Sequence, residues 1–300
     1  MSLQVTHFSD PGCPWAWSAS PALAALKWRY GDQLDWRHVM IGLTEKGSVY
    51  EERGYTPDRM ARGYRTFRDR GMPFATDVRE RVHGTWPMCR VVVATRRLAP
   101  EREYAVFRAL QLAQFTGTGF LEDYADLRTA IEWVPGIDAD AIIAAAEDPE
   151  TEALFEQDRD EARTAAGSPT EFQDKHANSD GRVRYTAPSL KLSNGTATLE
   201  AGGFQSLEAY DVLIANLDTS LARRAPATDA AEVLAAFPDG LTTAEVALIM
   251  TEDKFTPDLG AAEDALIDAL GAGTAQRLAF GHDALWVPAQ AAAAKLAAAA

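Results

Sequence analysis

The sequence predicts an α/β fold: a small sheet assembled from two separated halves, a large helical insertion between them, and a small second domain at the C-terminal end. Three observations predict it. A strand–helix–strand pattern fills the first forty residues, helical periodicity runs from about 57 to 165, and strand patterning returns as a hairpin over 187–200. The expected organisation is a core from 1–56 and 180–222, an insertion over 57–179, a C-terminal domain over 227–290 and an alanine-rich tail over 291–300.

Leu3, Val5 and His7 alternate with Gln4 and Thr6, which predicts a strand over 3–8. The turn Phe8-Ser9-Asp10-Pro11-Gly12-Cys13 follows. Ala19, Leu23, Leu26 and Tyr30 then recur at helical spacing, so 14–30 is a helix that Pro21 should kink. Gly31-Asp32 ends it, and Leu34, Trp36, His38 and Met40 alternate as a second strand. A helix between two strands is the unit that lays strands parallel. Residues 42–56, with Gly42, Gly47 and Gly54, predict a loop. Helices follow at 57–70, 87–98, 101–115, 120–132, 139–147 and 150–166, punctuated by Gly71, Pro73, Pro100, Gly117, Pro135-Gly136 and Pro149. The polar stretch 167–182 predicts a loop. Ser193-Asn194-Gly195 between Ala187–Leu192 and Thr196–Glu200 is a hairpin signal, and Leu207, Tyr210, Leu213, Ile214 and Leu217 mark one face of a closing helix.

Past Arg223-Arg224-Ala225-Pro226, which has the composition of a linker, short helices are expected at 230–236, 243–250 and 261–270, then a hairpin of 275–280 and 284–287 around Gly281-His282. Three helices followed by a two-stranded hairpin resemble a winged helix. Duplex binding by such a module needs basic groove contacts. Residues 228–300 instead hold 11 Asp/Glu against 3 Lys/Arg, so a structural or protein-contact role is expected.

The formal charge of −15 over 300 residues argues against nucleic-acid or anionic-membrane partners. Two cysteines make no disulfide framework and suit a reducing compartment. The chain enters a strand pattern without a basic region and apolar run, and no stretch of about 18 apolar residues exists, so a cytoplasmic protein is expected.

Cys13 carries the chemistry. Pro14 fits the first helical position, where a missing N–H costs nothing, which makes Cys13 the cap. Its sulfur would lie beside unpaired N–H groups at the positive end of the helix dipole, a setting that favours thiolate. Asp-Pro-Gly-Cys-Pro-Trp-Ala-Trp, residues 10–17, resembles the active-site turn of the DsbA-like branch of the thioredoxin superfamily, FrnE-type members and mycothiol-dependent reductases especially. Strand, helix, strand, helical insert, hairpin and helix is also the order of that fold, and the likeness spans residues 3–218. It implies a thioredoxin-like fold with Cys13 as nucleophile. Trp15 and Trp17 would wall the site. Tyr185-Thr186-Ala187-Pro188 resembles the cis-proline segment, with Thr186 and Ala187 turned towards the sulfur to align a thiol substrate.

The turn departs from the family pattern at Ala16, where the second cysteine of Cys-x-x-Cys would stand. Monothiol chemistry remains: the thiolate attacks a disulfide, and a low-molecular-weight thiol, mycothiol or glutathione, resolves the mixed disulfide as co-substrate. No tightly bound cofactor is implied. Cys89 in Gly84-Thr85-Trp86-Pro87-Met88-Cys89-Arg90 lies in a segment resembling one that borders the family site, with Thr85 and Arg90 matching; it is a candidate second thiol or a buried helix residue. Residues 53–108 hold 13 Arg, no Lys and 6 Asp/Glu, with Arg59, Arg62, Arg65, Arg68 and Arg70 at helical spacing, which makes either a solvated, paired face or a cationic rim for an anionic thiol. His7, His38, His83, His176 and His282 show no metal-ligand spacing; His7 and His83 are the nearest candidates for a Cys–His pair.

The expected function is therefore thiol-disulfide oxidoreduction on a disulfide or electrophilic small molecule, in a monomer or dimer. Two alternatives stand beside it. In enzymes resembling kappa-class glutathione transferase and hydroxychromene-carboxylate isomerase, the turn residue activates a bound thiol. In a non-catalytic descendant, the fold serves binding alone.

Overall fold

The alternation at the start of the chain becomes β1 (Leu3–Ser9), whose Leu3, Val5 and Phe8 are buried. The computed structural model describes residues 2–252, 255–280 and 283–291; the expected turn at Gly281-His282 and the tail from 292 onward lie outside the described residues. The expected helix over 14–30 is two helices, α1 (Pro14–Ser18) and α2 (Ser20–Tyr30), meeting at Ala19. Pro21 explains the break, because it has no N–H to offer the carbonyl of Trp17 four residues back. β2 (Leu34–Met40) pairs parallel with β1 from Leu3↔Leu34 to Ser9↔Met40.

Residues 42–56 are not loop throughout. They contain α3 (Gly47–Glu52), whose first residue sits against the Val82 backbone and donates its N–H to Glu122 Oε2 at 3.0 Å. Partners more than thirty residues away fix this helix, which is why local composition misses it. The insertion continues as α4 (Pro57–Phe67), a tight turn through Arg68–Arg70, α5 (Trp86–Leu98), α6 (Glu103–Thr116), α7 (Tyr124–Ile131), α8 (Ala139–Ala146) and α9 (Pro149–Ala162). Val91, Val92, Val93, Val106, Leu110, Leu127, Ile131 and Phe155 form its own core. Arg96 of α5 clamps that core to the sheet: it bonds both oxygens of Asp158 on α9 and the carbonyl of His38 in β2.

The 167–182 stretch also holds structure, α10 (Pro169–Phe172) and β3 (His176–Ala177), the latter paired with β4 (Arg184–Tyr185). Ser168 caps α10 by accepting from Glu171 N, and Pro169 occupies its first turn, so the helix signal was present but short. β5 (Ser189–Ser193) and β6 (Thr198–Ala201) form the expected hairpin, and the sheet runs β2-β1-β5-β6 with β5 antiparallel to β1. α11 (Leu207–Leu217) closes this half.

The remaining elements are α12 (Ala230–Ala236), β7 (Leu241–Thr242), α13 (Thr243–Met250), α14 (Leu259–Gly271), β8 (Ala275–Phe280) and β9 (Asp283–Pro288), with a sheet ordered β7-β9-β8. Leu234, Val246, Ile249 and Trp286 share one apolar core with Leu23, Leu26 and Leu192. The 223–226 stretch is strapped to α2, with Trp28 Nε1 donating to the Ala225 carbonyl at 2.9 Å and Arg224 N donating to the Arg29 carbonyl at 2.8 Å. A buried pair, Arg108 to Glu245 at 2.6 Å, bridges α6 and α13. Among the described residues no helix is long and apolar enough to cross a membrane.

Candidate functional site

β1 ends at Ser9 and delivers the chain into a turn held by one carboxyl group. Asp10 Oδ1 accepts from Gly12 N at 2.8 Å; Oδ2 accepts from Leu43 N and Thr85 Oγ1, each at 2.8 Å, and from Cys89 Sγ at 3.5 Å. Asp10 is fully buried, and burial raises its pKa against the pull of these donors. It thus joins the strand end, the segment after β2 and the start of α5. Gly12 is required by close approach, since a Cβ there would lie 2.5 Å from Thr85 Cγ2.

Cys13 caps α1 with extended backbone, φ −88° and ψ 116°, and Pro14 fills the first helical position. Its side chain is 6% exposed, and Sγ donates to the Ala187 carbonyl at 3.2 Å. The Ala187–Pro188 peptide is cis. The two halves of the chain, 174 residues apart, therefore meet at the sulfur. The expectation of a favoured thiolate is corrected. Burial pushes the Cys13 thiol up to about 12; the Asp10 charge adds to this, while the N–H groups of Ala16 and Trp15 and the Arg184 guanidinium pull the other way. α1 has five residues, and its end cannot offset removal of the sulfur from water. Cys13 rests as a hydrogen-bond donor.

Trp15 and Trp17 part company. Trp15 is 41% exposed and meets Phe67 edge-on at 5.0 Å and Phe204 at 5.7 Å, with the Arg70 guanidinium 4.3 Å from its ring centre. Trp17 is fully buried, donates Nε1 to the Pro73 carbonyl at 2.9 Å and stacks on Phe115, so it supports the turn from within the core. Ala16 is buried beside Cys13 in the cluster of Phe8, Ile41 and Tyr185. Thr186 gives its hydroxyl to the Lys175 carbonyl, and its own carbonyl accepts from Ser189 Oγ at 2.7 Å.

Cys89 and Cys13 are both free thiols. Cys89 is fully buried against Asp10, and burial with the adjacent carboxylate pushes it well above the ordinary thiol range. Arg90 is paired with Glu152 and packed near Trp86 and Phe155. Most of the arginine cluster is structural: Arg62 pairs with Asp58, Arg97 with Asp148, Arg102 with Asp239, and Arg79 bonds Gln114 and Gly117. Arg70 is the member placed over Trp15. Neither candidate Cys–His pair forms: His7 packs against His38, Trp36 and Phe107, and His83 bonds Gln114 Oε1 at 2.6 Å.

Sequence reasoning gave Asp10, Arg184, Phe67 and Phe204 no role. For Asp10 the signal was available, because Asp-Pro-Gly is a local turn former whose side chain bonds its own backbone two residues on. Nothing local marks Phe204, which reaches Trp15 only through the fold.

A four-stranded sheet, a capping cysteine after β1 and a cis-proline opposite it define the DsbA-like thioredoxin fold, here carrying a helical insertion and a C-terminal extension. Comparisons with solved structures agree. A probable DsbA oxidoreductase from Streptomyces coelicolor superposes with a TM-score of 0.54 at 17% identity, covering 75% of this chain and 93% of that one. The cytosolic disulfide reductase DsbM from Pseudomonas aeruginosa gives 0.52 at 20% identity, covering 72% of this chain and all (100%) of that one. DsbM solved with GSH gives 0.51 at 19% identity, over 71% of this chain and 100% of that one. No family model and no curated protein matches the chain.

Proposed function

We propose that this protein is a monothiol disulfide reductase acting through Cys13. The observation that carries the proposal is the meeting of Cys13 Sγ with the Ala187 carbonyl two residues from the exposed Trp15, which forms a platform with the half-buried Phe67 and Phe204 and with Arg70. A disulfide R–S–S–R′ lying on Trp15 places one sulfur against Cys13. Cys13 loses its proton to water as its sulfur attacks, Cys13–S–S–R forms, and R′–S⁻ leaves and takes up a proton. A small thiol then attacks the mixed disulfide, releasing its own disulfide with R and returning Cys13 to the thiol. Ala16 leaves no local thiol to resolve the intermediate, so the second step belongs to the co-substrate.

The direction follows from the exchange itself: with no second thiol at position 16, Cys13 stores no disulfide of its own, and turnover passes R from the substrate disulfide to the small thiol. Arg70 selects the thiol: glutathione carries carboxylates that a guanidinium attracts, whereas mycothiol carries none. DsbM, a cytosolic disulfide reductase solved with GSH, is a fold neighbour consistent with this choice.

A second reading has its own support. A cysteine held as a donor can hydrogen-bond a bound thiolate in place of attacking, as the turn serine does in kappa-class transferase-like enzymes. One substitution separates the two. Cys13→Ser abolishes glutathione-dependent disulfide reduction if Cys13 is the nucleophile, and retains turnover if it only binds the thiolate. Mass spectrometry of wild-type protein with oxidised glutathione should show one adduct on Cys13 that reduced glutathione removes. No adduct, together with an active Ser variant, would overturn the proposal.

A further inference from the structure

We infer that the chain carries a second ligand site, at the opposite end of the sheet from Cys13, that takes a small aromatic carboxylate. The site is a cavity of about 470 Å³ between α2, the start of β2, α6 and the segment leading into β7. Cavities of this size hold small organic ligands. Trp28, Trp36, Tyr104 and Phe237 contribute its aromatic walls, and Lys27 and Arg108 contribute cations. Cys13 follows the last residue of β1, whereas Leu34 of the cavity pairs with Leu3 at the first, so the two places are separated by the length of the strands.

Of the charged side chains that line the cavity, Lys27 and the exposed Asp32 have no ion-pair partner among the described residues. Arg108 is paired with Glu245, Arg224 with Glu232 and Asp239 with Arg102. Lys27 Nζ instead lies 3.0 Å from the Tyr104 ring centre and 5.2 Å from that of Trp36, and no carboxylate of the described residues stands within ion-pair distance of it. The cavity therefore offers one amine without a carboxylate partner, set on aromatic walls, and a carboxylate on a flat ring answers it. An aliphatic anion would leave the walls unused, and a cation would meet Lys27.

Ionisation of Lys27 supports the same chemistry. Burial and then Arg108 push its ammonium well below the ordinary range, against Glu245 of α13 and Asp239 before β7; His7 of β1 and His38 of β2 lie close enough to feel its charge. A bound carboxylate would restore the proton. The site is independent of the monothiol reading, because no residue of the Cys13 platform lines it.

The test is isothermal titration with 2-naphthoate, with 2-naphthalenemethanol as the uncharged comparator. Wild-type protein should bind one 2-naphthoate with Kd below about 1 mM. Lys27→Met keeps the apolar stem and should weaken 2-naphthoate at least ~10-fold, or about 1.4 kcal/mol, while leaving the alcohol within about twofold. On unmutated protein, 2-naphthoate should slow reductive methylation of Lys27, followed by peptide mass spectrometry. Absence of saturable binding, equal affinity in Lys27→Met, or unprotected Lys27 would each overturn the inference; the last two would place the anion elsewhere, for instance at Arg70.

Discussion

Replacing Asp10 with asparagine tests whether one carboxyl group both builds the turn and holds the thiol up. Asparagine keeps an acceptor for Gly12 N, but its amide nitrogen then faces Leu43 N and Thr85 Oγ1, both now donating to Oδ2. Thr85 can rotate its hydroxyl to accept. Leu43 N cannot, and one orphaned N–H costs about 1–3 kcal/mol. Charge-assisted bonds become neutral ones, a further loss of about 1 kcal/mol, partly offset because the variant no longer buries a charge. The expected net loss is about 2 kcal/mol, or roughly 3 °C in Tm for a chain of this size. The same change removes the Asp10 charge, one of the two causes that raise Cys13. The midpoint of Cys13 alkylation against pH, read by peptide mass spectrometry with iodoacetamide, should therefore move down from about 12. An unmoved midpoint with a lowered Tm would show that Asp10 is purely structural. An unchanged Tm would refute the hydrogen-bond accounting itself.

Three further outcomes are expected. Arg70→Ala should raise KM for glutathione several-fold and leave kcat nearly unchanged, because Arg70 touches the platform and not the sulfur; steady-state kinetics at two salt concentrations check this. Cys89→Ala should leave disulfide reduction intact, since Cys89 is buried against Asp10 and bonded to nothing at the sulfur of Cys13, and loss of turnover would show a second redox thiol. Burial holds His7 well below its ordinary range and His38 below it, so the unfolded chain binds protons that the folded chain refuses. Stability should be full above about 6.5 and fall as pH drops below it, by urea midpoint, and His7→Phe should flatten that slope.

Much of the fold is local. Alternation through Leu3–His7 and Leu34–Met40, the Asn194-Gly195 turn and the capped helices at 207–217, 230–236 and 243–250 are side-chain periodicity and turn chemistry, which a chain carries in any surroundings. The place of Cys13 is equally legible, because Cys-Pro after a strand defines a cap before any tertiary contact exists. α3 escapes sequence reasoning because Glu122 and the Val82 backbone hold its first residue.

The ionisation of Cys13 belongs wholly to the tertiary structure. Sequence supplies the helix end that lowers a thiol pKa, whereas its burial, the nearby Asp10 charge and the bond to Ala187 come from chain segments folded around it. The two tryptophans make the same point two residues apart: α1 turns Trp17 into the core and leaves Trp15 beside Phe67, Phe204 and Arg70. Sequence by itself determined where the cysteine sits and where the chain turns. Desolvation and long-range neighbours decided its protonation, because both depend on distances that only the folded chain possesses.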